Sequence, residues 1–314
     1  MRFGPNIKLP DYPSIAIIGA GAIGTYYGAK LVRNGLKVSF LARSNQHYLR
    51  EHGLEIHCDT GNFYLKQVQA YHLSEDIGAV DLVIIAIKTT ANESLKLLLP
   101  PLLGRSTIIC TLQNGLGNEE FLAEIVGRER ILCGVCHVCA SRVSPGVTQK
   151  IAGGNIRLSD LSGGSTLRAA SLATLFESAG IQCSVSPSVG SVLWSKLVWN
   201  IPFNGLSITE GGIDTSEILG FPYLIQEASD LMFEVLAAAE AVGFPLDSDY
   251  PAKEIARTRR MGAYQPSSLI DYLAGKPIEL ESIWGKPLRM GTDAGIPMPH
   301  LARLYGKLKM ISTS

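Results

Sequence analysis

Six residues near the N-terminus, Gly19-Ala20-Gly21-Ala22-Ile23-Gly24, constrain this chain more than any other stretch. They follow a run of buried-strand type, Ile15 to Ile18, and open a helical segment from Thr25 to Asn34 that stops at Gly35. In a dinucleotide-binding unit, Gly19 would permit the turn, Gly21 would let backbone approach a pyrophosphate, and Gly24 would let helix pack on strand. The helix N-terminus then offers free amides and a partial positive charge to phosphate. A structural turn in an ordinary α/β sheet can carry the same letters. The flanking strand and helix signals favour the nucleotide reading.

A second strand, Lys37 to Leu41, ends in Ala42-Arg43-Ser44-Asn45. NAD-reading units usually place Asp or Glu there, roughly 20 residues past the glycines, to hold the ribose hydroxyls. Arg43 instead offers a planar fork of donors to a 2′-phosphate, with Ser44 adding a hydroxyl, so NADP is the expected cofactor. Two more strands, Ala79 to Ile87 and Thr107 to Leu112, end in Lys88-Thr89-Thr90 and Gln113-Asn114-Gly115. Ligands of open α/β sheets lie at such carboxyl ends. For Lys88 alone, a solvated strand-end lysine is an equal alternative.

With 314 residues, the chain is long enough for two domains. Its 28 basic and 28 acidic residues balance, which argues against nucleic acid or an anionic membrane as partner. Apolar segments such as Val83 to Ile87 and Leu95 to Leu103 are too short to span a bilayer. The first dozen residues read as a loose extension, not a signal peptide, and a cytoplasmic protein is expected. Cys133, Cys136 and Cys139, with His137, raise a metal hypothesis. On a strand, however, positions three apart point to opposite faces, so reduced core cysteines and no metal are expected.

Further along, Gln46 to His52 reads as a short helix, and Leu54 to Ala70 as a hairpin turning at Asp59 to Asn62. Residues Ile131 to Leu158 alternate strand and turn signals, and Leu167 to Ala179 reads as a helix before a short strand to Val185. From Ser188 the texture becomes helical: Val189 to Leu206, Leu224 to Val242, Ser267 to Gly275, Ile283 to Gly291 and His300 to Met310. The expected organisation is an α/β Rossmann-type domain over residues 1–187 and an all-α domain over residues 188–314. The first of these helices carries Lys196, Asn200 and Asn204 at four-residue spacing, which drifts only about 40° per step and forms one polar stripe. Its apolar flanks favour a stripe that lines a cleft. Pro202 should kink or end the helix, which loosens the placement of Asn204.

The glycine turn, Lys88, Gln113-Asn114-Gly115, Trp194-Ser195-Lys196-Leu197 with Asn200 and Asn204, and Pro266-Ser267-Ser268-Leu269-Ile270-Asp271 leading to Gly275-Lys276-Pro277-Ile278-Glu279 together resemble the ketopantoate reductase family. The resemblance runs from about Ile15 to the last helix. It implies a Rossmann domain joined to a helical domain like that of 6-phosphogluconate dehydrogenase, and reduction of 2-dehydropantoate to pantoate with NADPH. It implies that Gly19, Ala20, Gly21, Ala22, Ile23 and Gly24 hold the pyrophosphate, that Arg43 and Lys88 meet the 2′-phosphate side, and that Asn114 sits near the nicotinamide. Ala140 matches a backbone contact to cofactor. Lys196 matches the general acid, Asn200 and Asn204 substrate-orienting amides, Ser267 the group on the substrate carboxylate, and Glu279 an acid beside the nicotinamide ribose and the lysine.

Lys196 as an ammonium could polarise a keto oxygen and protonate it, with burial lowering and Glu279 raising its pKa. On the residues alone, a snorkelling lysine and a helix-terminus acid are equal alternatives. A further family Asn falls on Asp214, where a carboxylate would disfavour an anionic keto acid unless it points away. Another branched 2-keto acid therefore stays open as substrate. So does a non-catalytic NADP-binding sensor, although a sensor has no need of a proton donor. A homodimer through helical surfaces is a further expectation.

Overall fold

The computed structural model describes residues 7–313, which divide into two compact units: Asn118–Val189 with the chain up to Gln113, and Gly190 onward with Asn114–Gly117. The first unit is built on a ten-stranded sheet. Its strands are β1 (Ile15–Ile18), β2 (Val38–Leu41), β3 (Leu54–Cys58), β4 (Phe63–Leu65), β5 (Gln69–Tyr71), β6 (Val80–Ile85), β7 (Leu103–Thr111), β8 (Ile131–Ser144), β9 (Val147–Asp160) and β10 (Cys183–Ser186). They run in the order β4-β3-β9-β8-β7-β6-β1-β2-β5, with β10 paired beside β9. The pairs from β5 to β8 are all parallel, and their registers bring Ile18 beside both Leu41 and Ile85, and Ile85 beside Thr111. The carboxyl ends of β1, β2, β6 and β7 thus share one edge.

Helices cover both faces, as the continuous apolar runs of the central strands require. Ile15 and Ile17 pack with α1 (Ala22–Arg33), α2 (Gln46–His52) and, further on, α5 (Leu167–Ser178). Ala16 and Ile18 face the other way, toward α3 (Leu95–Leu98) and α4 (Asn118–Val126). Cys136 belongs to the first of these cores and Cys133 to the second, so these two cysteines of β8 point apart. All six cysteines are free thiols.

Three expectations need correcting. The hairpin ends at Leu65, and Gln69–Tyr71 instead extends the main sheet beside β2, whose outer edge it pairs. The loose extension falls partly on residues 1–6, outside the described residues. Over the described part, Leu9 is buried and its N–H donates to Ser171 Oγ at 3.2 Å, so that stretch is docked. Pro202 does not end its helix: α6 runs unbroken over Val189–Thr209.

The second unit is helical: most of α6, then α7 (Thr215–Ile218), α8 (Pro222–Ala241), α9 (Tyr250–Arg259), α10 (Ser267–Leu273), α11 (Lys286–Asp293) and α12 (Pro299–Thr313). A five-residue π-helical segment, Glu281–Gly285, leads into α11. Seventeen of the 21 residues of α6 are buried, and this burial outweighs the backbone bond that Pro202 removes. α8 packs on α9, α11 and α12. Among the described residues no helix is long and apolar enough to cross a membrane.

Candidate active site

The glycine turn shows why each glycine is needed. Gly19 has φ of 107°, and a Cβ there would lie 2.9 Å from the Ile87 backbone nitrogen. A Cβ on Gly24 would stand 2.0 Å from the Gly19 carbonyl oxygen, so α1 can seat on β1 only with glycine there. Gly21 differs, because a Cβ on it would meet no atom within 4 Å. The space above Gly21 is open, while Gly19 and Gly24 are hemmed in by protein. Gly21 is the N-cap of α1, no side chain caps that helix, and its first turn holds no acid. Ala22 and Ile23 follow in that first turn, half-buried, with Ala20 buried beneath. Open space over a bare helix N-terminus fits a pyrophosphate group.

Arg43 lies two residues past β2, exposed and without a bonding partner among the described residues. Lys88 caps the turn after β6, also exposed. Its approach is fixed by Gln113, a buried side chain that donates to the Ile87 carbonyl at 3.1 Å and to Asn92 Oδ1 at 2.7 Å. Asn92 and Gln113 were not legible as partners, because 21 residues separate them. Ala140 lies on β8 beyond its pairing with β7, opposite Lys150 on β9. This stretch of β8 is half-buried.

In the second unit, Asn200 and Asn204 are buried on α6 while Lys196, one turn earlier, is partly exposed. Lys196 Nζ stands 5.5 Å from the centre of the Trp199 ring, within cation–π range. That ring is held by its Nε1–H, which donates to Thr258 Oγ1 at 2.9 Å. Three bonds gather the remaining residues around α6. Ser268 N–H donates to Asn204 Oδ1 at 2.8 Å, which brings the start of α10, and with it the half-buried Ser267, to the stripe. Trp284 Nε1–H donates to the Ile201 carbonyl at 3.0 Å, anchoring the π-helical segment that follows the buried Glu279. Leu116 N–H donates to the Ser282 carbonyl at 2.8 Å, so the Asn114–Gly117 segment hooks onto that same segment. Gly115 has φ of 83°, and a Cβ on it would stand 2.4 Å from the Ser282 oxygen. Asn114 is thereby grouped with Glu279 and not with the sheet it follows.

Asn204 Nδ2 is buried with no hydrogen-bond partner among the described residues. A buried amide of this kind costs stability unless something accepts from it, and a carbonyl or carboxylate ligand would do so. Asp214 is accounted for locally. Its carboxylate caps α7, accepting from Ser216 N–H at 2.8 Å, Glu217 N–H at 3.0 Å and Ser216 Oγ at 2.6 Å, while Glu217 accepts from the Asp214 N–H. Burial would raise its pKa, but the bonds from Ser216 and Glu217 outweigh it and hold the carboxyl below its ordinary value.

A bare helix N-terminus on a parallel sheet in one unit, and a Lys/Asn stripe with a buried carboxylate and an amide nitrogen lacking a partner among the described residues in the other, are the parts of a nucleotide-dependent oxidoreductase. The chain belongs to the ketopantoate reductase family: the family described as ketopantoate reductase PanE/ApbA matches residues 15–163, and its C-terminal counterpart matches residues 189–312. It is similar to a 2-dehydropantoate 2-reductase of Nostoc sp., 36% identical over 301 residues covering 94% of each chain. Among solved structures, the 2-dehydropantoate 2-reductase of Geobacter metallireducens GS-15 is 39% identical, covers 95% of this chain and 99% of its own, and superposes with a TM-score of 0.92. That of Methylococcus capsulatus is 31% identical, covers 96% and 97%, and gives 0.87.

Proposed function

We propose that this protein reduces 2-dehydropantoate to (R)-pantoate with NADPH, in the route to pantothenate and coenzyme A. The observation that carries the reading is the 36% identity, over nearly the whole of both chains, to a protein named for that activity. Residues 1–187 are the NADP-binding domain and residues 188–314 the helical substrate domain. The turn from Gly19 to Gly24 holds the pyrophosphate, Arg43 and Lys88 meet the 2′-phosphate side, Asn114 serves the nicotinamide end, and the Ala140 backbone contacts the cofactor.

NADPH, when bound, supplies the hydride that the keto carbon takes. Lys196 polarises the keto oxygen and gives it a proton, so that the carbonyl becomes the alcohol. Asn200 and Asn204 orient the substrate, the orphaned Asn204 Nδ2 being a donor free for it, and Ser267 holds the carboxylate. Glu279 would meet the nicotinamide ribose and the lysine, its carboxylate favouring the ammonium form. Because Asp214 spends its charge on the α7 cap, it gives no reason to favour a different keto acid. We place the protein in the cytoplasm, where its free thiols suit a reducing setting, and propose a homodimer, which gel filtration tests.

The test is NADPH oxidation by the wild-type chain with 2-dehydropantoate, beside a panel of other branched 2-keto acids and beside NADH. The reading requires 2-dehydropantoate with NADPH to give the highest kcat/KM. A higher value with another keto acid rejects the substrate, and tight NADPH binding with no turnover of any keto acid leaves only a sensor.

A further inference from the structure

The hydroxyls of Thr25 and Thr148 lie 2.6 Å apart, each about 1% exposed, on α1 and β9. Thr25 Oγ1 is also 2.7 Å from the Gly21 carbonyl oxygen and 3.3 Å from that of Ala22. A carbonyl only accepts, and a hydroxyl has one proton to give, so the Thr25 proton goes to Gly21. The contact between the two threonines must then run the other way, with Thr148 donating to a lone pair of Thr25. No water reaches the pair to replace either bond. The result is a one-way chain from Thr148 through Thr25 to the Gly21 carbonyl, which also accepts the first intrahelical bond, from Thr25 N–H at 2.9 Å.

Gly21 is where this chain of bonds matters. As N-cap of α1 it has no side chain to fix its own peptide, and no neighbour would touch even a Cβ on it. Its carbonyl belongs to the same peptide plane as the Ala22 N–H, one of the amides that face a phosphate. Fixing that oxygen therefore fixes the donor. The support for Thr148 is itself firm. Thr148 pairs with Ile56 on β3 and Arg142 on β8, and two residues on, the buried Lys150 makes an ion pair with Asp59 at the β3–β4 turn.

We propose that Thr148, acting through Thr25, is a positioning residue for the nucleotide phosphates: the β8–β9 hairpin sets the orientation of the glycine turn although it contributes no glycine to it. The proposal rests on the NADP reading above, and its test measures binding of NADPH directly on the full chain. Thr148→Ser keeps the hydroxyl and should bind NADPH within about twofold of wild type. Thr148→Ala and Thr25→Ala should each raise Kd roughly 3- to 10-fold, as expected for loss of one buried hydrogen bond. The double variant should be no weaker than Thr25→Ala alone, because both changes break one chain.

Thr148→Val, which keeps the volume, replaces Thr148→Ala if circular dichroism shows that variant unfolded. A Thr148 variant without the hydroxyl that binds as tightly as Thr148→Ser overturns the proposal, as do effects that simply add. A wild-type chain that binds no NADPH overturns the functional reading and this proposal together.

Discussion

Glycines that look alike in a motif do different work, and substitution separates them. Gly24→Ala would push a methyl against the Gly19 carbonyl, 2.0 Å away, and should cost about 1–3 kcal/mol of stability, read as a lower urea midpoint. Gly21→Ala places its methyl in open space at φ of −84° and should leave that midpoint unchanged. It should nonetheless raise the NADPH Kd roughly tenfold, the equivalent of 1.4 kcal/mol, by occupying the space over the helix end. Equal stability losses in both variants would contradict these separate roles. Arg43 has no partner to lose among the described residues, so Arg43→Ala should raise KM for NADPH by about 10- to 100-fold, the worth of a charge-assisted bond, and leave KM for NADH unchanged. At this scale the spacing of the glycines made the turn at Gly19 and the helix–strand contact at Gly24 legible, whereas the part of Gly21 rests on the cofactor proposed above. Asp214 was harder, because a count from Lys196 cannot tell a ligand from a helix cap three residues before Glu217.

Among the elements, α6 and α7 carry the lesson. The Asp214 cap predicts that Asp214→Ala destabilises the chain by about 0.5–2 kcal/mol while kcat/KM for 2-dehydropantoate stays at the wild-type value. A collapse of kcat/KM with unchanged stability would instead put that carboxylate at the substrate. Pro202 was expected to kink or end its helix because propensity speaks only of the local backbone. Burial along α6 overrides it, and Asn204 keeps its place on the stripe. α9 was missed since Lys253, Glu254, Arg257 and Arg259 hide its periodicity. The π-helical segment and its hook on Leu116 depend on contacts over 160 positions apart in the chain, which no local pattern records.

Across the whole molecule, the clearest energetic feature is the Asp160–Arg168 pair, wholly buried where β9 hands over to α5. Arg168 Nε and Nη2 each lie 2.5 Å from the carboxylate, with Thr166 Oγ1 at 2.6 Å and Ser162 N–H at 2.8 Å. Burial would raise the Asp160 pKa, but these bonds outweigh it and leave it below its ordinary value. A depressed carboxyl contributes stability that is fully present above the unfolded pKa, about 3.9, and is lost as pH falls through the lower folded value. The urea midpoint should thus hold from neutrality to about pH 4 as far as this group decides it, then fall. Asp160→Asn leaves the guanidinium uncompensated and should cost about 3–5 kcal/mol at pH 7. A loss below 1 kcal/mol would contradict this.

The two-part architecture was legible because apolar strand runs and helical periodicity fill separate halves of the chain, whereas the grouping of Asn114 with Glu279 was set by contacts remote in sequence. The central claim, a reductase with Lys196 as its acid, is tested most directly by Lys196→Ala assayed with NADPH and 2-dehydropantoate while NADPH binding is measured on the same sample. NADPH affinity should stay unchanged while kcat falls by about 10²–10⁴-fold. A variant that keeps most of its kcat would contradict it.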